Sequence, residues 1–505
     1  MTMLRIALHL LIHLTWMLFA LMLVVVALAG LASAAPLPVA IVTQDRAVLR
    51  ATPRNSGQEQ AMLWQGETVE VRGERLNYLQ IYDHRRERAG FVRASQVRRV
   101  ELTPEAAPEL LSIVRFLRDT AGNEALGIAL AAAYIEAAPA DVLGGPEGID
   151  AIDALATFAD RLARRASSAA PRTKAASEAL AAHLEAAARY GVNFASYERD
   201  GRMVICYDGD AHRRVIAMQS SAEQRARSAL ALTRPECFDQ ELRPRERYRA
   251  DAWRAEVLDR VDAAKLPGYL KNRIAMARAS VWSSLAYQRV RMDESATAAA
   301  QRALAELAAV DKAQLTDEDL SSYYDAAMRV GASRWAAAGT AAAPSRNPHI
   351  VVARGQPGET CIDLIEIRGE ARKQLAHRCT YGIVWTNSAS LNREGNALAV
   401  AVQPLDSWRE IWVFRKDAGT WTIRVLPPAA TNPNLGYVEF AGWVPGGKEF
   451  LVAREARGEG KYKRSFEVVC LDTLATDRQA SDPGNLSAFK RWQDPVWKRE
   501  TLSIR

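Results

Sequence analysis

The sequence predicts a multidomain chain in three segments. Residues 37–101 read as a small all-β segment, 102–340 as a mostly α-helical array broken by a short β-meander at 193–217, and 347–505 as an all-β module. Three observations carry this. Before residue 102, apolar and polar residues alternate between Gly- and Pro-containing turns. In the Ala-rich middle, apolar residues recur at intervals of three and four. Beyond residue 347 apolar strands return after Gly-containing turns, and Trp385, Trp443 and Trp497 recur at intervals of 58 and 54 residues.

The bulk numbers agree. A chain of 505 residues is too long for one core and suggests about three domains. With 49% apolar and 25% charged residues it is neither disordered nor fibrous. The net charge of +7 is spread along the chain. No Lys/Arg-dense stretch interleaves with aromatics, so no nucleic-acid partner is expected.

Arg5 is the only charge before Asp45, and an apolar run from Ile6 to Leu31 ends in Ala32-Ser33-Ala34-Ala35. This is the pattern of a secretory signal, with cleavage expected after Ala34 and helix-ending Pro36 and Pro38 beyond it. The run is 26 residues long, enough to span a bilayer. An uncleaved anchor through residues 6–31, with the body outside, is the alternative. No Cys stands near the cut, which excludes lipoprotein attachment.

The five cysteines form no C-x-x-C pair, so zinc-ribbon and thioredoxin-type motifs are absent. Outside the cytosol, neighbours in sequence would pair as Cys206–Cys237 and Cys361–Cys379, each bond contributing roughly 3 kcal/mol. Cys470 is left over.

Each element follows. Ala47–Arg50, Thr68–Val71, Tyr78–Tyr82 and Gly90–Val92 alternate between turns and make a small barrel. With Arg50 and Pro53 in the first loop, Gly66 before the second strand pair, Tyr78, Leu79 and Ile81 in the middle and Gly90-Phe91-Val92 at the close, this stretch resembles the bacterial SH3-like domain. That resemblance implies a barrel carried by envelope proteins, contacting cell-wall peptide or a protein partner. Trp64, Tyr78 and Tyr82 are the candidates for its ligand-binding aromatic groove.

Helices are expected from Pro104 or Pro108, over 125–138, 149–166 and 174–190, then over 221–232, 246–264, 267–289, 293–309 and 316–338. The pairing suggests a helical repeat array without a named consensus. Between the two sets, turns at Asp200-Gly201 and Asp208-Gly209 predict a three-stranded meander.

In 347–505, Trp385 and Trp443 each precede a polar Gly turn and two apolar strands. This resembles the blade repeat of periplasmic β-propellers. The resemblance implies an incomplete, propeller-like module, with a third unit starting at Trp497 and a strand over Thr501–Arg505. Residues 349–352 and 361–365 would supply missing strands, and the helices of 221–338, or else a second molecule, would cover the exposed face.

No catalytic or metal signature is present. The sequence lacks His-Glu-x-x-His, Gly-x-Ser-x-Gly and a Walker lysine loop, and no cofactor is expected. Cys206 with His183 or His212 is the one nucleophile–base pairing the sequence offers. A disulfide to Cys237 would remove its thiolate. The sequence therefore points to a non-catalytic periplasmic binding or scaffold protein with a peptidoglycan or protein partner. The alternative is a periplasmic cell-wall or peptide hydrolase.

Overall fold

The structure, a computed structural model, describes residues 38–168, 172–199, 201–338, 347–430, 435–458 and 460–504, together with Met17 and Met22. Apart from those two methionines, the expected export segment and the expected cut after Ala34 lie outside the described residues. The chain divides into two compact units, one ending at Ser220 and one beginning at Ser221.

In the first unit, alternating apolar residues build β1 (Val39–Val42), β2 (Ala47–Arg50), β3 (Glu59–Leu63), β4 (Thr68–Arg75), β5 (Tyr78–Asp83), β6 (Arg88–Arg93) and β7 (Val97–Val100). They form one sheet in the order β3-β2-β6-β5-β4-β1-β7. Leu49, Leu63, Val69, Leu79, Ile81 and Val92 fill its core, each worth roughly 1.5–3 kcal/mol when buried. Among the described residues β3 pairs only with β2 and β7 only with β1. The expected barrel is thus a seven-stranded sheet whose ends do not join.

The helices of this unit are α1 (Ala107–Arg118), α2 (Glu124–Ala137), α3 (Ala140–Leu143), α4 (Pro146–Ser167) and α5 (Lys174–Arg189). In α4, Pro146 and Glu147 occupy the first turn and Arg164 and Arg165 the last. Proline suits the first helical position, and charges so placed complement the helix dipole. Val114, Ile128, Tyr134, Phe158 and Leu162 meet in the helical core.

The expected meander has two strands, β8 (Phe194–Arg199) and β9 (Arg202–Tyr207). Its third strand is instead a helix, α6 (Asp210–Ala217). Gly209, at φ +83°, turns the chain, and Asp210 sits where acids favour a helix start. Ala211, His212 and Val215 then turn inward at helical spacing.

The second unit begins with α7 (Ala222–Leu232), α8 (Pro244–Asp259), α9 (Gly268–Arg291), α10 (Thr297–Ala308) and α11 (Asp317–Ser333). The 24-residue α9 packs against α8, α10 and α11, which explains its burial on several sides. The strands β10 (His349–Arg354), β11 (Thr360–Arg368) and β12 (Ala371–Thr380) form a three-stranded antiparallel sheet. Two antiparallel four-stranded meanders follow. One is β13 (Ile383–Leu391), β14 (Ala397–Leu405), β15 (Trp408–Asp417) and β16 (Thr420–Leu426); the other is β17 (Leu435–Trp443), β18 (Glu449–Gly458), β19 (Lys461–Cys470) and β20 (Thr476–Ala480). A short parallel pairing of β15 with β17, Trp408 opposite Gly436 and Arg409 opposite Tyr437, joins them.

Among the described residues no ring of blades closes. Trp385 lies inside β13 and Trp443 ends β17, and each is followed by a Gly-containing turn and two strands, β14 and β15 after the first and β18 and β19 after the second. The expected strand at 501–505 is corrected. After α12 (Ser487–Trp492), α13 runs over Pro495–Ile504. Pro495 suits its first position, and Asp494 Oδ1 accepts from the Val496 N–H at 2.7 Å. Trp497 packs its ring against Phe489 and Phe466, with centroids 5.7 and 6.3 Å away. Met328 and Ala332 of α11 pack on Leu435 and Tyr437 of β17, so helices of the second unit do lie against its sheet.

Candidate functional site

The first unit carries a half-open cleft of about 270 Å³. Its floor is Ala132 and Ile135 from α2, Ile152 and Leu155 from α4, and Val192 after α5. Tyr190 and Tyr207 form its walls, and Glu136, Asp210 and Arg214 stand at its rim. Arg214 Nε lies 2.9 Å from Asp210 Oδ2, one turn apart on α6. An apolar floor with a few charges at the edge is the usual lining of a ligand cleft, and this one is just smaller than the usual range of about 300–1,000 Å³.

Both tyrosines are fixed. Tyr207 is buried, and its hydroxyl oxygen accepts from the Ala211 N–H at 2.8 Å. Burial pushes its phenol up to about 12, so it stays protonated and serves as a wall rather than a base. The Tyr190 hydroxyl donates to the Gly66 carbonyl at 2.8 Å and also meets Thr68 Oγ1. Burial raises its pKa too.

Tyr190 thereby ties the cleft to the small sheet, and further contacts hold that junction. Gly66, at φ +85°, lets its turn approach α2 so closely that a Cβ would lie 2.6 Å from the Ala125 carbonyl oxygen. Arg165 donates to His183 Nδ1 at 2.7 Å, and His183 Nε2 lies 2.6 Å from Asp45 Oδ1. Arg85 bridges Glu67 at 2.7 Å and Glu185 at 2.6 Å. Glu67 is 2% exposed and also pairs with Arg86 at 3.0 Å. A buried carboxylate between two guanidiniums is a rigid anchor for the turn.

The residues that sequence nominated for a groove lie elsewhere. Tyr78 is 3% exposed and donates to Asn55 Oδ1 at 2.6 Å. Trp64 is half-buried, its backbone N–H donating to Glu67 Oε2 at 3.2 Å. Tyr82 is half-buried beneath the Arg72 guanidinium at 4.0 Å and edge-on to His84 at 4.8 Å. No ring contact joins the three among the described residues, and none of them lines the cleft.

Cys361 and Cys379 are bonded to each other, Cys206 and Cys237 each stand in a disulfide, and Cys470 is a free, half-buried thiol. Oxidised cysteines are compatible with an extracytoplasmic location. Cys206 accordingly offers no thiolate to His183 or His212. Among the described residues, no helix is long and apolar enough to cross a membrane.

The cleft draws on α2, α4, the end of α5, β9 and α6, so no local spacing in the sequence announces it. No family model, no curated protein and no solved structure matches this chain.

Proposed function

We propose that this chain is a non-catalytic cell-envelope protein that binds an extended peptide in the Tyr190–Tyr207 cleft. The peptide is a wall stem peptide or a segment of an envelope partner. The observation that carries this reading is the lining: an apolar floor sized for a small side chain, with one cation and two carboxylates at the rim to meet peptide backbone and terminal charges. The disulfides support an oxidising compartment. We read the sheet over 38–100 as SH3-like, supported by the Gly66 turn and the Gly90-Phe91-Val92 close. We read the two four-stranded meanders as propeller-type blades, supported by their antiparallel order. In this reading they add contact surface for envelope partners.

The test is calorimetric titration of the full chain, in detergent, with purified stem peptides and with peptides from envelope proteins. Saturable binding is expected, lost at least tenfold in Ile135→Trp, which fills the cleft, and weakened in Arg214→Ala. Binding that survives Ile135→Trp unchanged would place the ligand elsewhere.

A further inference from the structure

The outer face of the β11–β12 hairpin carries a set of groups that peptide binding does not use. Cys361 and Cys379 are direct cross-strand partners, and so are Asp363 and His377. The alternate residues Ile362 and Leu364 point into the core. Side chains two apart on a strand share a face, so Cys361, Asp363, His377 and Cys379 gather on the other side. The Sγ atoms of both cysteines and a ring nitrogen of His377 all lie within 4.8 Å of one another. His377 Nε2 stands 3.3 Å from Cys379 Sγ. The other ring nitrogen, Nδ1, lies 2.6 Å from Asp363 Oδ1, which also accepts from Gln374 Nε2 at 2.5 Å.

That second contact sets the chemistry. A histidine that donates from Nδ1 to a carboxylate keeps its Nε2 lone pair free and oriented, the arrangement typical of histidines that ligate metals. Here the oriented lone pair faces two sulfurs. While the sulfurs are bonded to each other they offer no thiolate. We propose that reduction of the Cys361–Cys379 disulfide turns this hairpin face into a binding site for one thiophilic d10 metal ion, Zn²⁺ or Cu⁺. Its ligands are the two thiolates and His377 Nε2, with Asp363 as the outer partner.

The reductant is a dithiol. It transfers two electrons and two protons to the disulfide and becomes a disulfide itself, leaving two thiols in place of the S–S bond. Cys379 is half-exposed and Cys361 is buried, so the attacking thiolate reaches Cys379 Sγ and Cys361 leaves. A second attack by the dithiol on the mixed disulfide frees Cys379. Metal binding then releases the two thiol protons. Soft thiolate donors select Zn²⁺ or Cu⁺ over the hard cations. Three protein ligands leave a fourth position open on zinc, and three complete a trigonal set for Cu⁺. The oxidation state of the hairpin thus decides whether it holds metal.

The experiment measures metal bound to the full chain, oxidised or reduced with a phosphine, by competition against a chromophoric chelator. Zn²⁺ and Cu⁺ are titrated separately, and Co²⁺ is the spectroscopic probe. Reduction also frees Cys206 and Cys237, so the reference is the reduced Cys361→Ser/Cys379→Ser double variant, which keeps the other three cysteines. The reduced wild type should bind one equivalent beyond this reference, with a thiolate-to-cobalt charge-transfer band, and the oxidised protein none. Asp363→Asn should weaken binding about 10–100-fold. His377→Gln, a change at an exposed position, should weaken it at least as much and leave the far-ultraviolet circular dichroism unchanged. Equal metal binding by oxidised and reduced protein, or by the reduced wild type and the double variant, would overturn the proposal. So would full affinity in His377→Gln. None of these readouts depends on peptide binding.

Discussion

His183, on α5, places its Nε2 2.6 Å from Asp45 Oδ1 in the turn between β1 and β2, joining the small sheet to the helices of the first unit. Burial alone would push the Asp45 carboxyl up. The hydrogen bonds from His183 and the Gln65 N–H, with the Arg165 charge nearby, outweigh it and hold the carboxyl below its ordinary 3.8. A carboxylate whose folded pKa is depressed stabilises the fold above its unfolded pKa and loses that contribution as pH falls through the folded value. Asp45→Asn should therefore destabilise this junction at pH 7, by ~1 kcal/mol at most because the carboxylate is 39% exposed and screened by water. The difference from wild type should vanish once the pH lies below the depressed value. Hydrogen exchange of peptides covering 38–50 and 174–190, at neutral and acid pH, reads this.

Gly66 is the second hinge of the same junction. Any side chain there meets the Ala125 carbonyl and must also adopt a positive φ. Gly66→Ala should cost about 1–3 kcal/mol. It should also move Tyr190, whose hydroxyl donates to the Gly66 carbonyl, and so weaken peptide binding at a cleft that Gly66 does not line. Thermal denaturation together with the peptide titration checks both parts. Unchanged affinity in a destabilised variant would separate the hinge from the cleft.

In the second unit, Glu439 of β17 is 3% exposed and pairs with Arg334; Arg409 Nη2 lies 3.7 Å from it. Arg409 is fully buried, donates to the Gly331 carbonyl at 2.6 Å, and is drawn down to about 10 by burial. Glu439→Gln would leave two buried guanidiniums without their counter-charge. We expect it to cost about 3–5 kcal/mol. Glu256→Gln, which breaks the exposed pair of this α8 residue with Arg260 just beyond the helix, should change nothing measurable. Calorimetry of the full chain should show the transition of the second unit shifted down only for Glu439→Gln.

Trp497 anchors α13 against Phe466 and Phe489 in the aromatic cluster. Trp497→Ala removes a large side chain that is 6% exposed, and should cost about 3–5 kcal/mol. Limited proteolysis should then cut first within residues 483–500.

Period and punctuation made much of this architecture legible. The helices from 107 to 189 and from 222 to 333 fall close to their expected bounds because apolar spacing and prolines mark them. The strand around Leu79 was legible from alternation, and those around Val400 and Val452 from short apolar runs after Gly-containing turns. What misled were short polar-flanked segments. Asp208-Gly209 is equally good chemistry for a hairpin turn and for a helix start, and Ala211 and Val215 decide for the helix only once a core exists to receive them. Thr501–Ile504 reads as a strand in isolation, yet Asp494-Pro495 begins a helix ahead of it. Tyr78 sits in an alternating run that marks a strand and leaves its buried face undetermined. The hairpin cluster was hidden differently. His377 and Cys379 stand two residues apart, but only the β11–β12 register sets them beside Cys361 and Asp363.

The central claim is that the Tyr190–Tyr207 cleft meets a peptide outside the cytosol, and crosslinking in living cells tests it most directly. A photoreactive phenylalanine analogue replaces Ile135 at the cleft floor or, as a reference, Leu405, which is 45% exposed in the second unit. The account predicts a discrete adduct from residue 135, carrying wall stem peptide or an envelope protein, that residue 405 does not give. Adducts from residue 135 with cytosolic proteins, or the same products from both positions, would contradict it.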